Sequence, residues 1–264
     1  MARGYDVIGS KGKAVAIIEV RDEDVGAGAE KELAKAIMAR NKHIVSVLKK
    51  ESAREGEFRI REYSLIAGDE NTEVLHMENG YKLLLDPQLV YFSNRESTER
   101  MRIASQVHPG ELVMVMFGGV APFPISIAKI QPDVNKIYSI ELNPIAHKYA
   151  LDNVRINKLS HKIIPICGNV REVCPKLGKK FDRIVMPLPK EAYEFLDIAI
   201  SCLRRGGIIH LYYWSSEPDL FSEAEKLIKN AAEKLNKKIK ILDKKKVLPY
   251  GPKKWKIVLD FIVS

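Results

Sequence analysis

From residue 111 onward the chain repeats one pattern, an apolar and mostly β-branched run followed by a stretch long enough for a helix. The runs are ELVMVMF, KIYSIEL, KIIPIC, FDRIVM and GIIHLYYW, then KIKIL and KWKIVLDFIV. Strands that are apolar along their whole length are buried on both faces, as in a parallel sheet covered by helices. The last two runs break the pattern. Only DKKKVLPYGPK lies between them, too short for a helical crossover, so they are expected to pair as an antiparallel hairpin. The expectation for residues 107–264 is an α/β domain, Rossmann-like, with seven strands and a terminal hairpin. Asn143 before Pro144 supplies an N-cap and a first-turn proline for the helix IAHKYALDNVRIN.

Before residue 107 the style is different. Short β-rich runs (AVAIIEV, HIVSVL, EFRIREYSLI and TEVLHMENGYKLLLD) surround one amphipathic segment, GAEKELAKAIMAR, and Asn79-Gly80 marks a two-residue hairpin turn. This predicts a small α+β domain over residues 1–106, with ESTERMRIASQV as a connecting helix. No run approaches the roughly 18 apolar residues of a spanning helix, and MARGYDVIGSKGK lacks the apolar core of a signal peptide. A cytoplasmic protein with no membrane partner is expected. Cys167, Cys174 and Cys202 are odd in number and lack paired CxxC spacing, so they read as packing residues, with neither a disulfide framework nor a metal site indicated.

Ligands of open α/β sheets bind beyond the carboxyl ends of the strands, and a seven-stranded sheet that ends in an antiparallel hairpin is characteristic of class I S-adenosylmethionine-dependent methyltransferases. Four strand ends carry informative residues. FGGVAPF follows the first strand, where Gly118 and Gly119 permit close backbone approach to a ligand. Glu141 ends the second, placed to hold ribose hydroxyls or to be a solvated strand-end carboxylate. Asn169 follows the third, as a partner for an adenine edge or an ordinary helix N-cap. Pro187 and Pro189 follow the fourth and remove two backbone donors, which suits a wall for a flat base or simply a rigid strand-to-helix turn.

The formal charge of +9 is concentrated: residues 226–256 hold 12 Lys against Glu233 and Asp243, with Tyr250 and Trp255 among them. Such a face fits a phosphate backbone or a solvated Lys-rich helix and hairpin.

The blocks EGEFRIREYSLIAGDENTEVLHMENGYKL, VYFSNRESTER, NKLSHKIIPICGNVREV and PLPKEAYEFLD make the chain, from about Gly4 to its end, similar to the archaeal tRNA (guanine-37) methyltransferases. The resemblance implies transfer of a methyl group from S-adenosylmethionine to position 37 of the anticodon loop, with tRNA-Phe as the expected substrate and a monomeric enzyme. It implies catalytic roles for Arg59 and Glu99. Methylating guanine N1 requires removal of a weakly acidic proton while charge builds on O6, work that a carboxylate and a guanidinium divide between them. It further implies a cofactor site of Arg100, Phe117, Gly118, Gly119, Glu141, Leu142, Asn169, Val170 and Pro187, and a base pocket of Tyr91, Arg95, Pro187, Leu188 and Pro189. The family's small amino-terminal tRNA-anchoring domain is expected to be absent, leaving the basic region to supply affinity.

The chain departs from the family pattern at Val115 and Asn169, usually acidic, at Ala121, usually glycine, and at Pro187, where Asn-Leu-Pro is usual. The Pro-Leu-Pro form resembles the branch that also, or instead, methylates C7 of 4-demethylwyosine. Two other readings use the same residues: the wyosine-pathway aminocarboxypropyl transferase, against which the retained PLPKEAYEF argues, and a tRNA-binding protein with a decayed cofactor site, against which Arg59 and Glu99 argue.

Overall fold

A computed structural model describes residues 4–19, 28–52 and 61–264. The amino-terminal unit is a four-stranded sheet of β1 (Tyr5–Ser10), β2 (Lys13–Ile18), β3 (Ile44–Lys50) and β4 (Tyr63–Gly68), in that spatial order. β2 and β3 are parallel and joined through helix α1 (Ala29–Arg40), which buries Ala34 and Ile37 against them; the other pairs are antiparallel. Next comes the hairpin of β5 (Val74–Glu78) and β6 (Tyr81–Leu85). Its turn residues Asn79 and Gly80 have φ of 44° and 80°, the left-handed pair that a two-residue turn between twisted strands requires.

The second unit contains the expected seven-stranded sheet. Its strands are β7 (Leu112–Met116), β8 (Lys136–Glu141), β9 (Ile163–Cys167), β10 (Phe181–Met186), β11 (Leu203–Ser216), β12 (Ile239–Gly251) and β13 (Lys254–Val263), in the order β12-β13-β11-β10-β7-β8-β9. All neighbours are parallel except the two pairs made by β13. Helices α3 (Pro122–Ile130), α4 (Pro144–Ile156), α5 (Val170–Lys176), α6 (Leu196–Cys202) and α7 (Ser222–Lys234) pack around it. Asn143 caps α4 as its sequence indicates, its Oδ1 accepting from the N–H groups of Ile145 and Ala146 at 2.9 and 3.4 Å. β12 is longer than its sequence indicates. Most of the segment expected to connect the last two strands is itself strand, because three register shifts let Pro249 and Gly251 stay in the ladder. Among the described residues no helix is long and apolar enough to cross a membrane.

The two units are joined by side chains that imitate backbone. At the carboxyl end of α4, the capping Asn157 exchanges both amide hydrogen bonds with the backbone of Lys82, at 3.0 and 2.6 Å, and Asn153 within the helix does the same with Leu84, at 2.6 and 3.0 Å. These two asparagines, one turn apart, pair the edge of β6 as a neighbouring strand would. On the other strand of the hairpin, His76 Nδ1 accepts from Gly9 N–H at 3.2 Å, tying β5 to β1.

The connecting helix α2 (Ser97–Ala104) is fixed across the sheet by a buried ladder of charge. Glu111 accepts two bonds from Arg183 on β10; Arg183 Nη1 lies 2.8 Å from His210 Nε2; His210 Nδ1 lies 2.6 Å from Asp260 Oδ1; and Asp260 accepts from Arg102 of α2 at 2.6 Å. These partners select the neutral imidazole with its proton on Nδ1, since Arg183 can only donate. Burial, only partly opposed by Asp260, pushes the His210 pKa below its usual value, and burial lowers His76 in the same way. The unfolded chain then binds the additional protons, so the stability these groups contribute is complete above about pH 6.5 and is lost as pH falls below it. Glu141, whose carboxyl burial raises, acts in the opposite sense, because there it is the folded chain that binds the additional proton. Thermal stability should therefore fall as pH drops from about 6.5 to about 5.5, by up to about 1.4 kcal/mol per pH unit for each histidine. His210→Gln should flatten the slope, and a melting temperature constant over that range would contradict the assignment.

Candidate active site

Two cavities open at the carboxyl ends of β7, β8, β9 and β10. The smaller, about 210 Å³, is lined by the loop after β7, the ends of β8 and β9, and the turn after β10. Three of the five residues 117–121 are left-handed: Phe117, Gly119 and Ala121, with φ of 60°, 55° and 68°. This tight turn carries the Gly119 N–H to Glu141 Oε2 at 2.7 Å, while Glu141 Oε1 accepts from Asn143 N–H at 2.8 Å. Gly118 has no alternative, since a Cβ there would lie 2.1 Å from Ser139 Oγ. Glu141 thus faces the cavity with its orientation fixed by backbone donors. The Leu142 N–H also donates to this carboxylate, and the acceptor capacity left on its two oxygens suits the adjacent donors of a ribose cis-diol.

The rest of the small cavity is mostly apolar, with Ile140, Leu142, Val170 and Phe195, the last packed edge-on against Phe117 at 5.0 Å, while Glu191 and Glu194 also line it. Asn169 lines it while capping α5, its Oδ1 accepting from Arg171 N–H at 2.9 Å. Of the sequence departures in this domain, only Asn169 and Pro187 line a cavity wall. Val115 and Ala121 are buried core residues away from both cavities, and Ala121 holds a left-handed conformation at a cost of about 1–2 kcal/mol that a glycine avoids.

The larger cavity, about 450 Å³, shares Tyr91, Phe117, Gly119 and Leu188 as walls with the first. Pro187, Leu188 and Pro189 form one side; Trp214 and Tyr250, their ring centres 4.3 Å apart and their planes tilted by 43°, form another, with Lys254 and Lys190. The proline corner is held from within. The Leu188 carbonyl accepts from Ala192 N–H at 3.0 Å and that of Pro189 from Trp214 N–H at 3.1 Å. With the Leu188 and Pro189 carbonyls bonded within the fold, the corner presents mainly an apolar surface.

The remaining site residues distribute as follows. Arg59 lies outside the described residues. Arg95 is exposed and lines neither cavity. Arg100 lines the large cavity, yet its guanidinium is held by Glu78, which takes both Nε and Nη2, and by the Ser93 carbonyl at 3.0 Å. Glu99 is not brought to either cavity: it turns toward the sheet, where Arg102 bonds both its oxygens at 2.8 Å and the Tyr212 hydroxyl donates to it. The carboxylate that does line the large cavity is Glu96, which sequence reading passed over together with Trp214; Tyr250, which it placed in the basic region, lines the cavity too. Trp214 carried a usable signal, because it sits near the carboxyl end of a strand in HLYYW.

The basic region is partly neutralised. Lys244 pairs with Glu225, Lys245 with Asp243 at 3.6 Å, Lys246 with Glu217 at 3.1 Å, and Lys256 is buried against Glu96.

Comparison with known proteins places these features among relatives. The TRM5/TYW2 methyltransferase domain family matches residues 74–242, and the TYW2 N-terminal domain family matches residues 1–72. The tRNA (guanine(37)-N(1))-methyltransferase Trm5b of Pyrococcus abyssi is 41% identical over 260 residues, 98% of this chain and 74% of that protein. The tRNA 4-demethylwyosine(37)-methyltransferase Taw21 of Saccharolobus solfataricus is 35% identical over 182 residues, 69% of this chain and 68% of that protein. A solved complex of aTrm5 and tRNALeu is similar in structure with a TM-score of 0.87 and 36% identity, covering 100% of this chain and 73% of that one.

Proposed function

The chain belongs to the TRM5/TYW2 methyltransferase family, and on that premise we propose that it methylates nucleoside 37 of tRNA, at guanine N1, at C7 of 4-demethylwyosine, or at both. The observation that carries this reading is the pair of cavities with common walls, one built for a nucleoside with a diol and the other for a flat ring. S-adenosylmethionine is the cofactor of this family, and when bound it supplies an electrophilic methyl group on a sulfonium.

The residues present fit that cofactor. Glu141 would hold the ribose hydroxyls, the apolar walls from Leu142 to Phe195 the adenine, and Asn169 its polar edge. Gly118 and Gly119 let the chain pass close to it. On the other side of Phe117 and Tyr91, the target base leaves its stack and enters the larger cavity, as bases do in enzymes that act on them, and lies against Pro187, Leu188 and Pro189. Arg59 is proposed to stabilise charge on O6. tRNA-Phe is the proposed carrier, with Lys254, Lys190 and the Trp214–Tyr250 pair meeting the loop around the flipped nucleotide.

Transfer of the aminocarboxypropyl arm is a second reading, favoured by the TYW2 N-terminal domain match. The test is transfer of labelled methyl from S-adenosylmethionine to tRNA carrying guanosine or adenosine at position 37. Label on the guanosine form alone supports the reading; equal label on both, or none on either unmodified or wyosine-precursor tRNA, contradicts it. Pro187→Asn restores a donor on the base wall and should raise the ratio of N1 to C7 product by about tenfold, one charge-free hydrogen bond's effect. An unchanged ratio would mean the corner does not read the base.

A further inference from the structure

Among the described residues no large apolar or aromatic side chain is more exposed than Tyr250, at 58%. A single exposed ring is ordinary, but this one is aimed. On either side of it Pro249 pairs with Trp255 and Gly251 with Lys254, so Tyr250 is the extra residue of a bulge between β12 and β13. A bulge breaks the alternation of a strand and redirects the side chain it carries. Here the ring is brought to the wall of the large cavity, its centre 4.3 Å from that of Trp214. The Trp214 N–H donates to the Pro189 carbonyl at 3.1 Å. Tyr250 and the proline side of the cavity are therefore linked through one residue, and packed groups set the spacing between them.

Positive charge is available beside the ring. Lys244, Lys245, Lys246 and Lys256 each meet a carboxylate. Lys253 and Lys254, in the turn into β13, form no ion pair among the described residues. An aromatic face next to unpaired cations suits single-stranded nucleic acid, because every base can stack on the ring and the phosphates meet the charge. Extruding a base also creates a need for such a face, since its neighbour in the loop loses a stacking partner.

We propose that Tyr250 replaces that lost partner: its exposed face stacks on the base of a nucleotide adjacent to position 37, with Lys253 and Lys254 beside the phosphates. The protein then holds two consecutive nucleotides, the target inside the large cavity and its neighbour on Tyr250. This deepens the tRNA reading above and rests on it. Tyr250 is a positioning residue, touching the substrate away from the reacting base.

The test measures equilibrium binding of wild type, Tyr250→Ala and Tyr250→Phe to three forms of tRNA-Phe: intact, abasic at position 36, and abasic at position 38. Tyr250→Ala should bind intact tRNA about tenfold more weakly, and Tyr250→Phe within about twofold of wild type. On the tRNA that lacks the stacked base, Tyr250→Ala and wild type should bind alike, a double-mutant cycle that also tells which neighbour is held. Affinity for S-adenosylmethionine should stay within about threefold, since Tyr250 does not line the small cavity. Equal losses for Tyr250→Ala on all three tRNAs would mean that the ring meets no base, which overturns the proposal. So does Tyr250→Phe binding as weakly as Tyr250→Ala, because the contact is then the hydroxyl. Wild type that methylates position 37 while Tyr250→Ala binds as tightly overturns the proposal and leaves the function standing. Wild type that methylates neither guanosine nor 4-demethylwyosine at position 37 removes both.

Discussion

Glu78→Ala should lower the free energy of unfolding by about 3–5 kcal/mol, the effect of leaving a buried charge without its partner. Arg100 is 2% exposed, and its guanidinium takes both oxygens of Glu78, donates to the Ser93 carbonyl and lies 5.2 Å from the centre of the Phe92 ring. Tyr81, 1% exposed, donates its hydroxyl to the same carboxylate. Alanine therefore strands a cation and a phenol in one step. Because Arg100 and Ser93 both line the large cavity, the loss reaches the site: residues 91–93 lose the arginine that holds them against the hairpin. Replacing both partners, Glu78→Leu with Arg100→Met, should recover most of the stability and little of the activity. Denaturant unfolding measures this directly, and a loss below about 1 kcal/mol for Glu78→Ala would mean that Arg100 escapes to solvent.

Glu141→Ala should weaken S-adenosylmethionine binding by about 100-fold. Two hydrogen bonds from a diol to a carboxylate are worth about 1.5 kcal/mol each, and every 1.4 kcal/mol is tenfold. The same substitution frees the N–H groups of Gly119 and Asn143, bonded at 2.7 and 2.8 Å, so the turn at residues 117–121 loses the contact that holds its left-handed backbone. Titration calorimetry should show the loss. A drop of less than about fivefold would show that the ribose is not held at Glu141.

What could be read in the sequence differs sharply between the two halves of the site. The cofactor side follows from strand ends, because Gly118, Gly119, Glu141 and Asn169 each sit one or two residues beyond an apolar run, and the parallel topology fixes which ends meet. The base side depends on long-range partners. Glu96 and Glu99 are three residues apart in NRESTER, and which of them faces the cavity depends on α2 starting after a 3-10 turn and on Glu99 meeting Tyr212, 113 residues away. Nothing local distinguishes them. Lys256 was hidden in a lysine-rich run that reads as a solvated surface. It is buried because β13 lies inside the sheet, paired with β11 on one side and β12 on the other, and is buried continuously from Lys256 to Phe261.

The central claim is that the two adjoining cavities bring a methyl donor to a nucleoside at position 37. The most direct measurement is the mass of nucleoside 37, after incubation with the protein and S-adenosylmethionine, from tRNA-Phe bearing guanosine and from tRNA-Phe bearing 4-demethylwyosine. The account predicts the gain of one methyl group on at least one of the two. A gain of the aminocarboxypropyl group, or no gain on either, would contradict it.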